Sequence, residues 1–154
     1  VKAWRIERDP YLDLAMTGEG ARRVGGRWNS AGRPAVYAAS HLSLSILEIV
    51  VHARTESQRA LKRSKAELDL PDGLVERLSA AAVPKDFSPR TAYAATQALG
   101  DRWLESLRTP ILVVPSSIVP EEQFVILNPL HPAYPRCRWG KFVSIELDSR
   151  LWSA

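Results

Sequence analysis

Proline cuts the second half of this chain into short pieces. Nine of its eleven prolines fall from Pro71 to Pro135. Each fixes φ, lacks an N–H and breaks a helix interior or a central strand. Long regular elements are thereby excluded over most of that stretch, leaving short strands and helices joined by stiff turns. Residues 90–107 are the exception and the best helix of the chain, Ala-rich and amphipathic despite Gly100. Around it, residues 111–114 and 124–127 read as buried strands, and 142–147 as a strand of alternating exposure. Residues 74–82 read as a short helix and 84–89 as a loop.

The first half is less punctuated. Residues 2–7 (KAWRIE) open as a strand, and 9–16 form a short helical turn. Gly18, Gly20, Gly25 and Gly26 mark turns or a close approach of a ligand. Residues 35–39 (AVYAA) make a short buried strand. Ser40 offers an N-cap to a mostly buried helix over 41–54. Residues 65–70 alternate as a strand stopped by Pro71-Asp72-Gly73. There is no repeat, low-complexity tract or linker, so the 154 residues form one domain, 1–154, of the α+β class.

Composition removes several classes of function. The lone Cys137 makes neither an internal disulfide nor a cysteine zinc site, and His41, His52 and His131 lack a metal-binding spacing, so no metal is expected. No apolar run approaches a membrane span, and the opening residues lack the signature of a secretory leader. A cytoplasmic protein is the expectation. Charge is segregated: residues 1–65 carry twelve Lys/Arg against six Asp/Glu, or +6, whereas 66–154 carry nine against eleven, or −2. The basic half attracts phosphate. No helix-turn-helix, zinc finger or RNP motif accompanies it, so direct nucleic-acid binding is not expected. A phosphate-rich small molecule would use the same field, and a non-catalytic nucleotide- or nucleic-acid-binding module is the alternative reading of the basic half.

A few side chains stand out. Glu48 is the one charge inside Ser45-Ile-Leu-Glu48-Ile-Val-Val51, so its carboxylate either pairs with an arginine or emerges into a cleft. His52 shares its helix face four residues on, and local pairing is the default there. Arg27, just after Gly25-Gly26, suits bidentate phosphate recognition. Trp28 fills the core or stacks on a base. Tyr37 packs or offers its ring to a planar ligand. Ser116 follows a buried strand, where a hydroxyl is usually a cap or turn residue. The loop from Asn128 through His131 to Pro132 is structural by default.

In order, these features resemble the RES-domain toxins of bacterial RES–Xre toxin–antitoxin modules. The matching segments are Trp4-Arg5, Gly18-x-Gly20-Ala21, Gly25-Gly26-Arg27-Trp28-Asn29-Ser30-x-Gly32, Val36-Tyr37-Ala38, Leu47-Glu48-x-x-Val51-His52, Pro115-Ser116 and Asn128-Pro129-x-His131-Pro132. They span residues 4 to 132. The resemblance implies a split mixed β core with helices, related to the ADP-ribosyltransferase toxins. It implies NAD+ as substrate, cleaved at the nicotinamide–ribose bond by hydrolysis or phosphorolysis with arrest of bacterial growth, or used to ADP-ribosylate a protein acceptor. It assigns catalytic roles to Glu48, Arg27, Tyr37 and Ser116, and substrate contacts also to Arg5, Trp28 and Asn128. An Xre-type antitoxin is the implied inhibitory partner. Glycosidic cleavage of this kind passes through a cationic ribose that a carboxylate stabilises, and the leaving nicotinamide needs no metal.

Overall fold

The computed structural model describes residues 1–84 and 93–152. Its strands are β1 (Lys2–Arg8), β2 (Val36–Ala39), β3 (Arg63–Asp69), β4 (Val75–Arg77), β5 (Ile111–Pro115), β6 (Gln123–Leu127), β7 (Arg138–Trp139) and β8 (Val143–Ile145). The α-helices among the described residues are α1 (Glu19–Val24), α2 (Leu42–His52), α3 (Glu56–Arg59) and α4 (Tyr93–Ser106). The sheet runs β4-β5-β6-β2-β1-β3-β7, with β8 also on β3. It is mixed, because β4 lies parallel to β5 while the other pairs are antiparallel. The α+β class is the expected one.

Alternation along the strands builds a core on each face. Val36, Ala38, Ile111, Val113, Val125 and Leu127 pack on one side with Ala3, Leu68 and Leu70. Ala39, Leu112, Val114, Phe124 and Ile126 pack on the other with Trp28, Leu44, Trp103 and Leu104. The expected split lies at the middle of the sheet. β1 pairs with β3 over all seven residues and β2 with β6 over all four, yet β1 meets β2 at the single pair Trp4↔Ala39. Two well-knit half-sheets thus diverge from one joint.

Helix α4 lies against the second core through Thr96, Gly100, Trp103 and Leu104, one face at helical spacing. Gly100 is required there: a Cβ on it would stand 1.8 Å from the Trp28 carbonyl oxygen. The same helix holds the loop that follows α1. Gln97 donates to the Gly26 carbonyl at 2.9 Å, and Asp101 accepts from the Ser30 amide at 2.9 Å and its hydroxyl at 2.6 Å.

Four expectations differ from the structure. Residues 74–82 hold strand β4 and a 3-10 turn at Ala80–Ala82 instead of a helix. The free edge of β5 satisfies β4's backbone groups, which a short helix with a costly nucleus would not match. Helix α2 is not mostly buried. Leu44 and Ser45 are buried, but Leu47 and Val51 are exposed, because the C-terminal half of α2 runs along an open cleft. The N-cap of α2 is His41 without a side-chain cap bond, and the Ser40 hydroxyl accepts instead from the Gln123 amide of β6. Residues 19–24, where the glycines suggest a turn or a ligand approach, form helix α1 instead, six residues long, entered through Gly18 at φ 71° and left through Gly25 at φ 73°. Part of the expected helix start and of the preceding loop, residues 85–92, lies outside the described residues. No helix among the described residues is long and apolar enough to cross a membrane.

Candidate active site

Where the half-sheets diverge there is a cleft of about 840 Å³. Its walls come from β1 (Trp4, Arg5), the loop after α1 (Gly26, Arg27), β2 (Tyr37) and the exposed half of α2 (Glu48). Arg5, Arg27 and Arg54 line it against the single carboxylate of Glu48 among the described residues, so its field is positive. All four come from the +6 half of the chain.

Tyr37 and the glycine-rich loop are locked together. The Tyr37 hydroxyl donates to Asn29 Oδ1 at 2.7 Å and accepts from the Trp28 amide at 3.0 Å. Burial pushes the phenol well above its ordinary range, so it stays neutral. Asn29 is fully buried, and its Nδ2 donates to the carbonyls of Ala21 at 3.0 Å and Arg33 at 2.8 Å. A side chain at Gly26 would strike the Tyr37 hydroxyl at 2.7 Å. With its hydroxyl so committed, Tyr37 offers the cleft its ring. Arg27 stands at the rim with its guanidinium 4.6 Å from the centre of the Tyr93 ring, a cation–π contact that limits its swing. Trp28 is 2 % exposed and packs in the core, with part of its surface at the cleft floor.

Arg5 spans the divergence. It donates to the Tyr37 carbonyl at 2.7 Å and pairs with Glu7 at 2.6 Å, so it ties the two half-sheets beyond their last strand pair. Its Nε is buried without an acceptor. Across the cleft, Glu48 Oε2 is likewise buried without an aligned donor. His52 Nε2 is 3.0 Å from it, a distance that suits an ion pair but lacks hydrogen-bond alignment. Arg5 and Glu48 thus both line the cleft, and each also buries one polar atom without an aligned partner, which is costly.

Two expected site residues lie elsewhere. Ser116 is fully buried, and its hydroxyl accepts from the amides of Ile118 at 3.0 Å and Val119 at 3.1 Å. It folds the turn that brings Ser117 and Ile118 to the cleft wall. Asn128 is 1 % exposed; it donates to the Leu104 carbonyl at 2.9 Å and accepts from the Leu130 amide, tying off the last turn of α4 away from the cleft. Sequence reasoning gave no role to Asn29, Arg54 or Tyr93. The Gly-Gly-Arg-Trp-Asn run contained Asn29, but nothing in residue type marks a scaffold amide before its partners are known. Cys137 is buried in the first core, and burial raises its thiol to about 11, which suits packing. Among the described residues no group of His, Cys, Asp and Glu is placed to hold a metal ion.

The RES domain family model matches residues 2–146 of this chain. The chain is 35% identical over 152 residues to a protein named Toxin Res from Photorhabdus laumondii, covering 98% of this chain and 97% of that one. It is 38% identical over 134 residues to a Prs ADP-ribosylating toxin from a Sphingobium species, covering 84% and 83%. Its fold is similar to a chain in the crystal structure of the M. tuberculosis MbcT–MbcA toxin–antitoxin complex, with TM-score 0.77 at 20% identity over 94% of this chain and 83% of that one.

Proposed function

The chain belongs to the RES-domain family, and from that premise we propose that it is a toxin that cleaves NAD+ at the nicotinamide–ribose bond. The observation that carries this reading is the Glu48 carboxylate at the wall of a largely apolar cleft whose other charged lining residues, His52 aside, are Arg5, Arg27 and Arg54. As the glycosidic bond breaks, positive charge grows on the ribose, and the Glu48 carboxylate stabilises it more than it stabilises the ground state. The carboxylate is one-third exposed and can accept from a ribose hydroxyl, which would hold the sugar against it. Arg27 and Arg54 attract the pyrophosphate, and Arg5 adds its positive charge from the cleft wall. The Tyr37 ring supplies a flat wall for the nicotinamide. Ser116 acts by folding the turn that carries Ser117 and Ile118 to the cleft wall, and Asn128 only by closing the end of α4 away from it.

Water and phosphate are both candidate acceptors for the ribose. The name of the Sphingobium relative favours a second reading, transfer of ADP-ribose to a protein. The fold neighbour was solved with its antitoxin, which supports an antitoxin as the inhibitory partner here, of the Xre type expected from the sequence. Purified protein incubated with NAD+, with and without phosphate, tests the reading by chromatography of nicotinamide and ADP-ribose products. Rapid nicotinamide release, reduced at least about a hundredfold in a folded Glu48→Gln variant, is the expected result. Label from NAD+ retained on a protein would select transfer, and full activity of Glu48→Gln would overturn the role of the carboxylate.

A further inference from the structure

Glu48 does not face the cleft alone. His52 lies one turn further along α2, and its Nε2 stands 3.0 Å from Glu48 Oε2. The imidazole is largely exposed, so protons reach it freely. It also borders a smaller neighbouring hollow of about 240 Å³, lined by Ile6, Glu7, Arg8, Gln58 and Arg63 among others. The carboxylate oxygen beside it is buried and has no aligned donor. We propose that His52 is a positioning residue that sets the charge Glu48 presents to the cleft: neutral His52 leaves the carboxylate its full negative charge, and protonated His52 cancels it.

The groups around His52 make this coupling specific. On its own helix the partner is Glu48; beyond the helix end lies Arg54, and from the glycine-rich loop comes Arg27. From β1 come Arg5, Glu7 and Arg8, and from β3 Arg63, whose guanidinium is spent on the carbonyls of Gln58, Arg59 and Leu61. Glu7 is bound to Arg5. Glu48 is thus the carboxylate in direct reach of the ring, and its attraction raises His52 above the ordinary histidine value, against desolvation and the two arginines. The protonated form therefore persists to higher pH than in a free histidine.

This inference rests on NAD+ cleavage for its catalytic consequence, but the pair itself is measurable without turnover. A carboxylate has two oxygens, so His52 can stand beside Oε2 while a ribose hydroxyl donates to Oε1. What protonation of His52 removes is the charge needed by the cationic ribose. The rate should fall as pH drops through the His52 value, by about tenfold per unit on the acid limb. His52→Gln keeps a donor without a titrating charge and should flatten that limb; a purely structural histidine would lower the rate by the same factor at every pH.

The decisive measurement is the ring titration of His52 by NMR in the substrate-free protein and in Glu48→Gln. A downward shift of the His52 midpoint in the variant is expected, and an unchanged midpoint overturns the coupling whether or not NAD+ is turned over. The pH profiles of wild type and His52→Gln with NAD+ follow. An acid limb that survives unchanged in His52→Gln also overturns the proposal. A coupled titration with no NAD+ turnover by wild type at any pH counts instead against NAD+ cleavage as the activity, and leaves the charge coupling standing.

Discussion

Glu48 and Ser116 show how differently two residues of one expected site behave. Both were singled out by the resemblance, but Glu48 borders the cleft with an unused oxygen, while the Ser116 hydroxyl is spent on two backbone amides. Ser116→Ala should therefore destabilise the protein by about 1–2 kcal/mol, because the Ile118 and Val119 amides lose their acceptor. Equilibrium urea unfolding reads this out. A hydroxyl that instead contacted substrate would leave the unfolding midpoint in place and raise KM alone. Charge in an apolar helix is a strong sequence signal, because burial of an unpaired carboxylate is costly, and that is why Glu48 was legible. A serine or an asparagine carries no such signal. Ser116, Asn29 and Asn128 are all buried and satisfied, and their partners lie on segments up to 24 residues away or on the next turn.

At the scale of elements, helix α4 carries a glycine where helix propensity disfavours one. On propensity alone Gly100→Ala would stabilise an exposed helix by about 1 kcal/mol. Here the sign reverses, because the new methyl would stand 1.8 Å from the Trp28 carbonyl oxygen, which is backbone and has little room to yield. The expected outcome is a loss of about 2–3 kcal/mol, the upper range for overpacking a tight core, seen as a lower thermal midpoint. Activity of the surviving folded fraction should fall too, since α4 holds the loop of Arg27 through Gln97 and Asp101. Stabilisation by Gly100→Ala would show that α4 does not press on that loop. Strand β1 was readable from its alternation of polar and apolar residues, and β2, β5 and β6 because their apolar runs are short and bounded by turn residues. β4 and α1 were not: three and six residues are too few to show a period, and what decides them is a free sheet edge in one case and two glycines with positive φ in the other.

For the whole molecule, the argument turns on where charge and the sheet's weak joint coincide. Segregation into a +6 and a −2 half was visible in the sequence, but periodicity could not say that β1 and β2 part after a single pair, since each strand's own pattern is satisfied by its outer neighbour. The divergence places Arg5 and Glu7 of one half-sheet against Tyr37 of the other and opens the cleft beside three arginines. Attraction from such an open rim is screened over ~10 Å at about 0.1 M salt. Raising ionic strength from low to high should increase KM for NAD+ several-fold while kcat changes little, because the proposed action of Glu48 on the ribose would operate at contact range inside the cleft, where salt screens little. Nicotinamide is neutral, so its inhibition constant should not move, whereas ADP-ribose, which has the pyrophosphate but not the pyridinium charge, should weaken more than NAD+ does. Steady-state kinetics with the two product inhibitors separates these cases. Equal salt dependence of nicotinamide and ADP-ribose would place the effect in the protein's conformation, and a salt-independent KM would mean that the arginines of the rim do not draw the pyrophosphate in.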